Sequence, residues 1–372
     1  MKTVPFVLLI LIASSPGIAK PLPRELERFF APPADLAGEL GDYRSPLKFY
    51  DGSEVKTRED WTKRRVEIMD RWHALMGKWP PPLGNPKIQE VEKVARENFT
   101  ERKVKLEVAK GYLVEAYLLV PDGKGPFPAA VVPFYDAETG AGHGKELRDF
   151  GIQLTRRGFV TLSLGWPMPR RENGTEEEVT IQPLTFLAYV AANCHRTLAN
   201  MPEVDAKRIG IVGHSFGGKW AMFASCLYDK FACAAWSDGG IVFDEKRSNV
   251  NYWEPWYLGY DPKRKEQREK GIPNEKKPRT GPYARMIRES YDLHELHALM
   301  APRPFLVSGG SEDRPERWVA LNHTLAVNKL LGAENRIAMT NRPKHSPTEE
   351  SNEQIYLFFE HFLSSGERAK KR

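Results

Sequence analysis

Gly213-His214-Ser215-Phe216-Gly217 is the segment of this 372-residue chain with the clearest chemical content. It lies between an apolar strand-like run and an apolar helix-like run, the setting of a sharp strand-to-helix turn. Such a turn lifts the serine hydroxyl clear of the backbone. Glycine is needed two residues to either side, where larger side chains would collide. The helix beyond it directs free N–H groups toward the charge that develops when a serine attacks a carbonyl. Ser215 is therefore the candidate nucleophile, and the Phe216 N–H the first oxyanion donor.

A serine hydroxyl needs a base, and the base needs an orienting acid. His345 lies in Asn341-Arg-Pro-Lys-His345-Ser-Pro, between a strand expected at 336–340 and the final helix, the position such a base takes. His323 and His361 fall mid-helix, and His214 is expected to point away from the serine. The preferred acid is Asp313, in Ser308-Gly-Gly-Ser-Glu312-Asp313 after a strand at 304–307, with Glu312 beside it. Asp238, after a strand at 231–236, is the alternative acid. A second oxyanion N–H is expected from Tyr135 to Ala137, after a strand at 129–134, with Ala137 as the choice. This chemistry calls for no metal and no cofactor.

Two other motifs fail on their own terms. Gly213-x-x-x-x-Gly218-Lys219 matches a phosphate-binding loop until Trp220 takes the place of the Ser or Thr that would hold magnesium. His294-Glu-Leu-His297 lacks the i, i+4 histidine pair of a zinc helix. Cys194, Cys226 and Cys233 lie in apolar runs and are too few to pair completely, so buried thiols are expected.

The elements that must position these residues follow from hydrophobic period. From residue 129 onward, short apolar strands alternate with helices of 3.6-residue period: strands at 129–134, 159–164, 208–212, 231–236, 304–307 and 336–340, helices between and after them. That alternation implies a mainly parallel sheet covered by helices on both faces. Two alternating runs at 104–108 and 114–120, joined at Lys110-Gly111, predict an antiparallel hairpin at one edge. Residues 20–98 form an N-terminal appendage with one helix at 61–76. Residues 99–365 form the main domain, interrupted at 240–292 by an insert after the sixth strand of this reading.

Residues 1–19 have the marks of a cleavable signal peptide: Lys2, an apolar run to Ile12, then small residues up to Ala19. The apolar run is short for a bilayer span, so export to the periplasm or outside the cell is expected without a stable membrane anchor. The composition, 41% hydrophobic and 28% charged, is globular. The net charge of +6 is unevenly spread. Residues 261–288 carry 10 basic and 4 acidic residues, and the tail 366–372 carries 4 basic and 1 acidic. What remains is acidic, which argues against a nucleic-acid partner, since that would call for a broad basic face.

Residues 100–365 resemble the α/β-hydrolases of the dienelactone hydrolase and prolyl-oligopeptidase-like group. The hairpin, the elbow Gly213–Gly217, Gly310-Ser-Glu-Asp313 and His345 carry that resemblance. The chain is also similar to carbohydrate esterases that cleave acetyl or glucuronoyl esters. Ser215 followed by Gly218-Lys219, and the aromatic segment Asn251-Tyr-Trp-Glu-Pro-Trp, are the residues concerned. The arginine that glucuronoyl esterases carry after the serine is Phe216 here. The resemblance implies an exported serine hydrolase acting on a small-molecule or polysaccharide ester. Lys219, Trp253 and Trp256 are its candidate substrate-binding residues, the indoles as platforms for a sugar face. A prolyl-oligopeptidase-type peptidase is the enzyme rival, for which 20–98 is too short to hold a propeller. A hydrolase-fold binding protein without activity is the other rival. The sequence says nothing of oligomeric state.

Overall fold

Charged and apolar residues sort the chain into one sheet with a clear division of labour. The computed structural model describes residues 21–171 and 173–364. The expected signal peptide and basic tail lie outside the described residues. Nine strands run in chain order as β1 (Ile88–Ala95), β2 (Phe99–Ala109), β3 (Tyr112–Pro121), β4 (Phe127–Pro133), β5 (Val160–Leu164), β6 (Val204–His214), β7 (Cys233–Ser237), β8 (Phe305–Gly309) and β9 (Ile337–Asn341). Their spatial order is β1-β2-β3-β5-β4-β6-β7-β8-β9. Strands β1 to β3 form an antiparallel meander that joins β5 antiparallel. From β5 to β9 every pairing is parallel. Strands β4, β5, β7 and β8 are buried at every residue, as a parallel sheet covered on both faces requires.

The expected strands and helices appear close to the expected bounds, and β1 is a strand that was not expected. β1 falls inside the segment read as an appendage. Its eight residues are all exposed, and Glu90, Glu92 and Lys93 interrupt any apolar period. An edge strand with no buried face has no alternation to detect.

The appendage helix spans Arg58–Met76. Thr57 caps it, accepting from the Asp60 N–H while the Asp60 carboxylate accepts from the Thr57 N–H, so two end donors are satisfied reciprocally. Trp61, Arg64, Ile68, Trp72 and Leu75 recur at three- and four-residue steps and are buried on one face. That face joins the same hydrophobic cluster as Leu106 and Val108 of β2. Arg64, fully buried, is 3.2 Å from the equally buried Glu295, which also accepts from Trp72 Nε1 and the Tyr50 hydroxyl. Removing one member of such a pair leaves an unmatched buried charge, at about 3–5 kcal/mol. The appendage is thereby tied to the helix His294–Ala298, directly after the insert.

The insert is mostly turns, with one helix at Gly281–Arg288. Its charge is only partly solvated: Arg268 and Glu254 pair at 3.1 Å with their side chains almost wholly buried. The three cysteines are free and buried, and burial pushes their thiols well above the ordinary range.

Candidate active site

β6 ends at His214, and the helix Phe216–Leu227 begins two residues later. Ser215 sits between them at φ 55°, a backbone region that L-residues other than Asn and Asp rarely adopt. The two glycines have a steric reason. A Cβ on Gly213 would lie 2.3 Å from the Gly217 carbonyl oxygen, and one on Gly217 would lie 2.2 Å from the Pro133 carbonyl oxygen. The strained turn is pinned by the Ser215 N–H, which donates to the Ser237 carbonyl of β7 at 2.7 Å.

His345 Nε2 lies 2.8 Å from Ser215 Oγ. His345 Nδ1 lies 2.7 Å from Asp238 Oδ2. The carboxylate against His345 is therefore Asp238, which the sequence ranked second, and not the preferred Asp313. Asp313 accepts instead from the Gly240 and Ile241 N–H groups at 2.8 and 2.7 Å. The correction has a geometric basis. The chain leaves β7 through Asp238 at φ 48°, which points its side chain across the ends of β7 and β8. Asp313 arrives four residues after β8 ends and points back toward the turn after β7. Glu312 accepts from Ser311 Oγ at 2.8 Å and Asn249 Nδ2 at 3.3 Å.

The Asp238 carboxylate divides its work between its oxygens. Oδ1 accepts the Gly310, Glu312 and Asp313 N–H groups at 2.7, 3.1 and 2.8 Å. Oδ2 is left to the imidazole. A left-handed aspartate costs about 1–2 kcal/mol. Hydrogen bonds to a charged group contribute about 1.5–3 kcal/mol each, so the three bonds outweigh the strain. Asp238, Glu312 and His345 bring potential ligand atoms within 4.8 Å of one another. Both imidazole nitrogens are already engaged by Ser215 and Asp238, so this cluster is the site's own hydrogen bonding.

Sequence reasoning passed over Arg342. Its guanidinium donates to Ser308 O and Gly309 O of β8, to Ser237 Oγ of β7, and to the His345 and Ser346 carbonyls. One buried side chain thus fixes the histidine loop to two strand ends. His214 is also turned inward: Nδ1 lies 3.1 Å from Ser237 Oγ, and burial holds the ring well below the usual imidazole range.

Phe216 is packed among Tyr135, Trp166, Trp220 and Tyr257, with the Tyr135 ring stacked on it at 4.7 Å. Tyr135 is half-exposed beside Ser215 and was named in the sequence only as the start of a backbone segment. Ala137 opens the short helix Ala137–Gly140, two residues after Tyr135.

Two expected substrate contacts are displaced. Lys219 is 2% exposed and donates its ammonium to the Gly239 and Asn249 carbonyls at 2.6 and 2.9 Å. Burial lowers it to about 8, against the pull of Asp313, Glu312 and Asp238. Trp253 is 1% exposed, with Nε1 donated to Glu254 at 3.1 Å, and offers no face to a sugar. Both residues serve to seat the insert. Trp256 is half-buried, its ring 6.2 Å from Tyr257, which in turn lies 6.1 Å from Phe216.

No protein-family model matches the chain, and no curated protein matches it. Solved structures do. A glucuronoyl esterase from Solibacter usitatus superposes with a TM-score of 0.67 at 18% identity, covering 86% of this chain and 97% of that one. A carbohydrate esterase family 15 glucuronoyl esterase from Caldicellulosiruptor kristjansonii gives 0.61 at 22% identity, covering 89% and 95%. A glucuronoyl esterase from Sporotrichum thermophile gives 0.55 at 17% identity, covering 87% and 89%. Likeness at these identities establishes the fold, which is that of the α/β-hydrolases.

Proposed function

We propose that this chain is an exported serine esterase that cleaves a carboxylic ester on a carbohydrate or a related natural ester. The observation that carries the proposal is the unbroken line from Ser215 Oγ through His345 to Asp238, at 2.8 and 2.7 Å. Ser215 attacks the ester carbonyl while His345 takes its proton. His345 then delivers that proton to the leaving alcohol, and Asp238 holds the ring in the required tautomer. The Phe216 and Ala137 N–H groups receive the oxyanion. Water enters by the same route and releases the acid from Ser215.

The fold shared with glucuronoyl esterases supports a carbohydrate ester as substrate. Phe216, enclosed by aromatic rings, supports a neutral acyl group over a uronate. Trp256, half-buried and linked through Tyr257 to Phe216, supports a contact of the insert with a sugar ring. Export is supported by residues 1–19, and no described helix is long and apolar enough to cross a membrane.

A fluorophosphonate probe tests the core of the proposal. Wild type is expected to label and Ser215→Ala not to; equal labelling of the two overturns it. A panel of an aryl acetate, acetylated xylan, a glucuronate methyl ester and a proline-containing peptide then separates the classes. Turnover of the esters is expected, with the uronate slowest. Turnover of the peptide alone would make the chain a peptidase.

A further inference from the structure

Asp313 is fully buried and lies beside the site, yet its carboxylate bonds to neither the serine nor the imidazole. Resting on the esterase reading above, we infer that Asp313 is a positioning residue: its carboxylate holds the turn after β7 in the conformation that aims Asp238 at His345.

The argument is one of reciprocal geometry. The turn after β7 contributes a carboxylate, Asp238, capped by three N–H groups of the turn after β8. The turn after β8 contributes a carboxylate, Asp313, capped by two N–H groups of the turn after β7. The two turns are clasped by each other's backbone. The bonds from Asp313 land on Gly240 and Ile241, the second and third residues after Asp238. They restrain the chain just beyond the left-handed φ at Asp238 and so over-determine a backbone that would otherwise relax. Lys219 closes the clasp from below by donating to the carbonyl of Gly239, between Asp238 and Gly240.

The charges facing the clasp fit this role. Arg317 Nε lies 3.9 Å from Asp313 Oδ1, Arg342 binds the end of β8, and the buried Lys219 ammonium is drawn by Asp313, Glu312 and Asp238. A second carboxylate beside Asp238 is therefore balanced by cations from three different elements. A purely apolar clasp would leave the Gly240 and Ile241 N–H groups without acceptors.

Asp313→Asn tests this. Asparagine accepts one of the two N–H groups and presents its own NH2 to the other, so the turn slackens while the volume is kept. With an aryl acetate, kcat is expected to fall about 10- to 100-fold, the range set by small misplacements in an active site. KM is expected to stay within about twofold, since no substrate contact is lost. The double variant Asp238→Asn/Asp313→Asn is expected to be no slower than Asp238→Asn alone, because one residue acts through the other. Asp313→Ser, which leaves room for water between the two N–H groups, carries the same readouts if the asparagine variant does not fold.

A folded Asp313 variant with wild-type kcat, with KM raised as much as kcat falls, or with effects that multiply those of Asp238→Asn, overturns the inference. Failure of both variants to fold would make the carboxylate a requirement of the fold and also overturn it. Probe labelling of wild type at Ser215 is read first. Its absence counts against the esterase reading, whereas the variant comparison in a labelled enzyme bears on Asp313 alone.

Discussion

The turns after β7 and β8 each carry one fully buried aspartate, and the two differ in what their oxygens face. Asp238 gives one oxygen to three backbone N–H groups and keeps the other for His345. Asp313 gives both oxygens to backbone. On the proposed reading, Asp238, with one oxygen left to the imidazole, is the relay acid, and Asp313, with both oxygens anchored, is its brace. Residue type is the same in the two turns, but Asp238 is the first residue after β7 and Asp313 the fourth after β8, so their carboxylates face in different directions.

The largest expected effect separates the two residues by rate. Asp238→Asn should lower kcat/KM about 10³- to 10⁴-fold on an aryl acetate, as expected when the tautomer of a catalytic histidine is lost. That loss should exceed the loss from Asp313→Asn. Equal losses, or the reverse order, would break the comparison.

Lys219 lies beneath the first turn and extends the contrast between bracing and reacting. Lys219→Met strands two carbonyls and is expected to destabilise the fold by about 2–4 kcal/mol, read by denaturant unfolding. KM should hardly change, since the ammonium is spent inside the protein. A large rise in KM with unchanged stability would return Lys219 to the substrate.

A third prediction concerns pH. Burial, and then the nearby Asp238 charge, raise Asp313 from 3.8 to about 6 in the folded chain. Between those values the folded state binds more protons than the unfolded state, so this group's contribution to stability declines as pH rises from about 4 to about 6. Unfolding free energies of wild type and Asp313→Asn across that range should diverge in that direction, with wild type losing ground. A parallel pair of curves would show that the carboxyl ionises normally.

The smallest effects are expected at the two tryptophans of the insert. Trp256→Ala should raise KM for a polymeric ester a few-fold and leave stability nearly unchanged. Trp253→Ala should instead lower stability by about 3–5 kcal/mol, because it empties a buried site. The opposite pattern would place the sugar platform at Trp253.

Much of this was legible in the sequence. The strands from β4 to β9 are short apolar runs because a parallel sheet is covered on both faces, and such runs are visible without any partner. The elbow was legible because its Gly-x-Ser-x-Gly spacing sits between a strand run and a helix run, and His345 because its place after the last strand is a matter of order. β1 was hidden because no face of it is buried. Arg342 was hidden because its partners come from β7, β8 and its own loop, which are distant in the chain.

The sequence by itself determined the Ser215 elbow, the helix that follows it, the place of His345 after the last parallel strand and the layered sheet, all of which follow from local sterics, hydrophobic period and element order. Only the tertiary structure brought Asp238 rather than Asp313 against His345, and turned Lys219 and Trp253 inward. Those outcomes depend on which backbone N–H and carbonyl groups converge at the ends of β7 and β8. Groups from residues some 75 positions apart meet there, and a hydrogen bond is made or missed by an ångström that no spacing along the chain records.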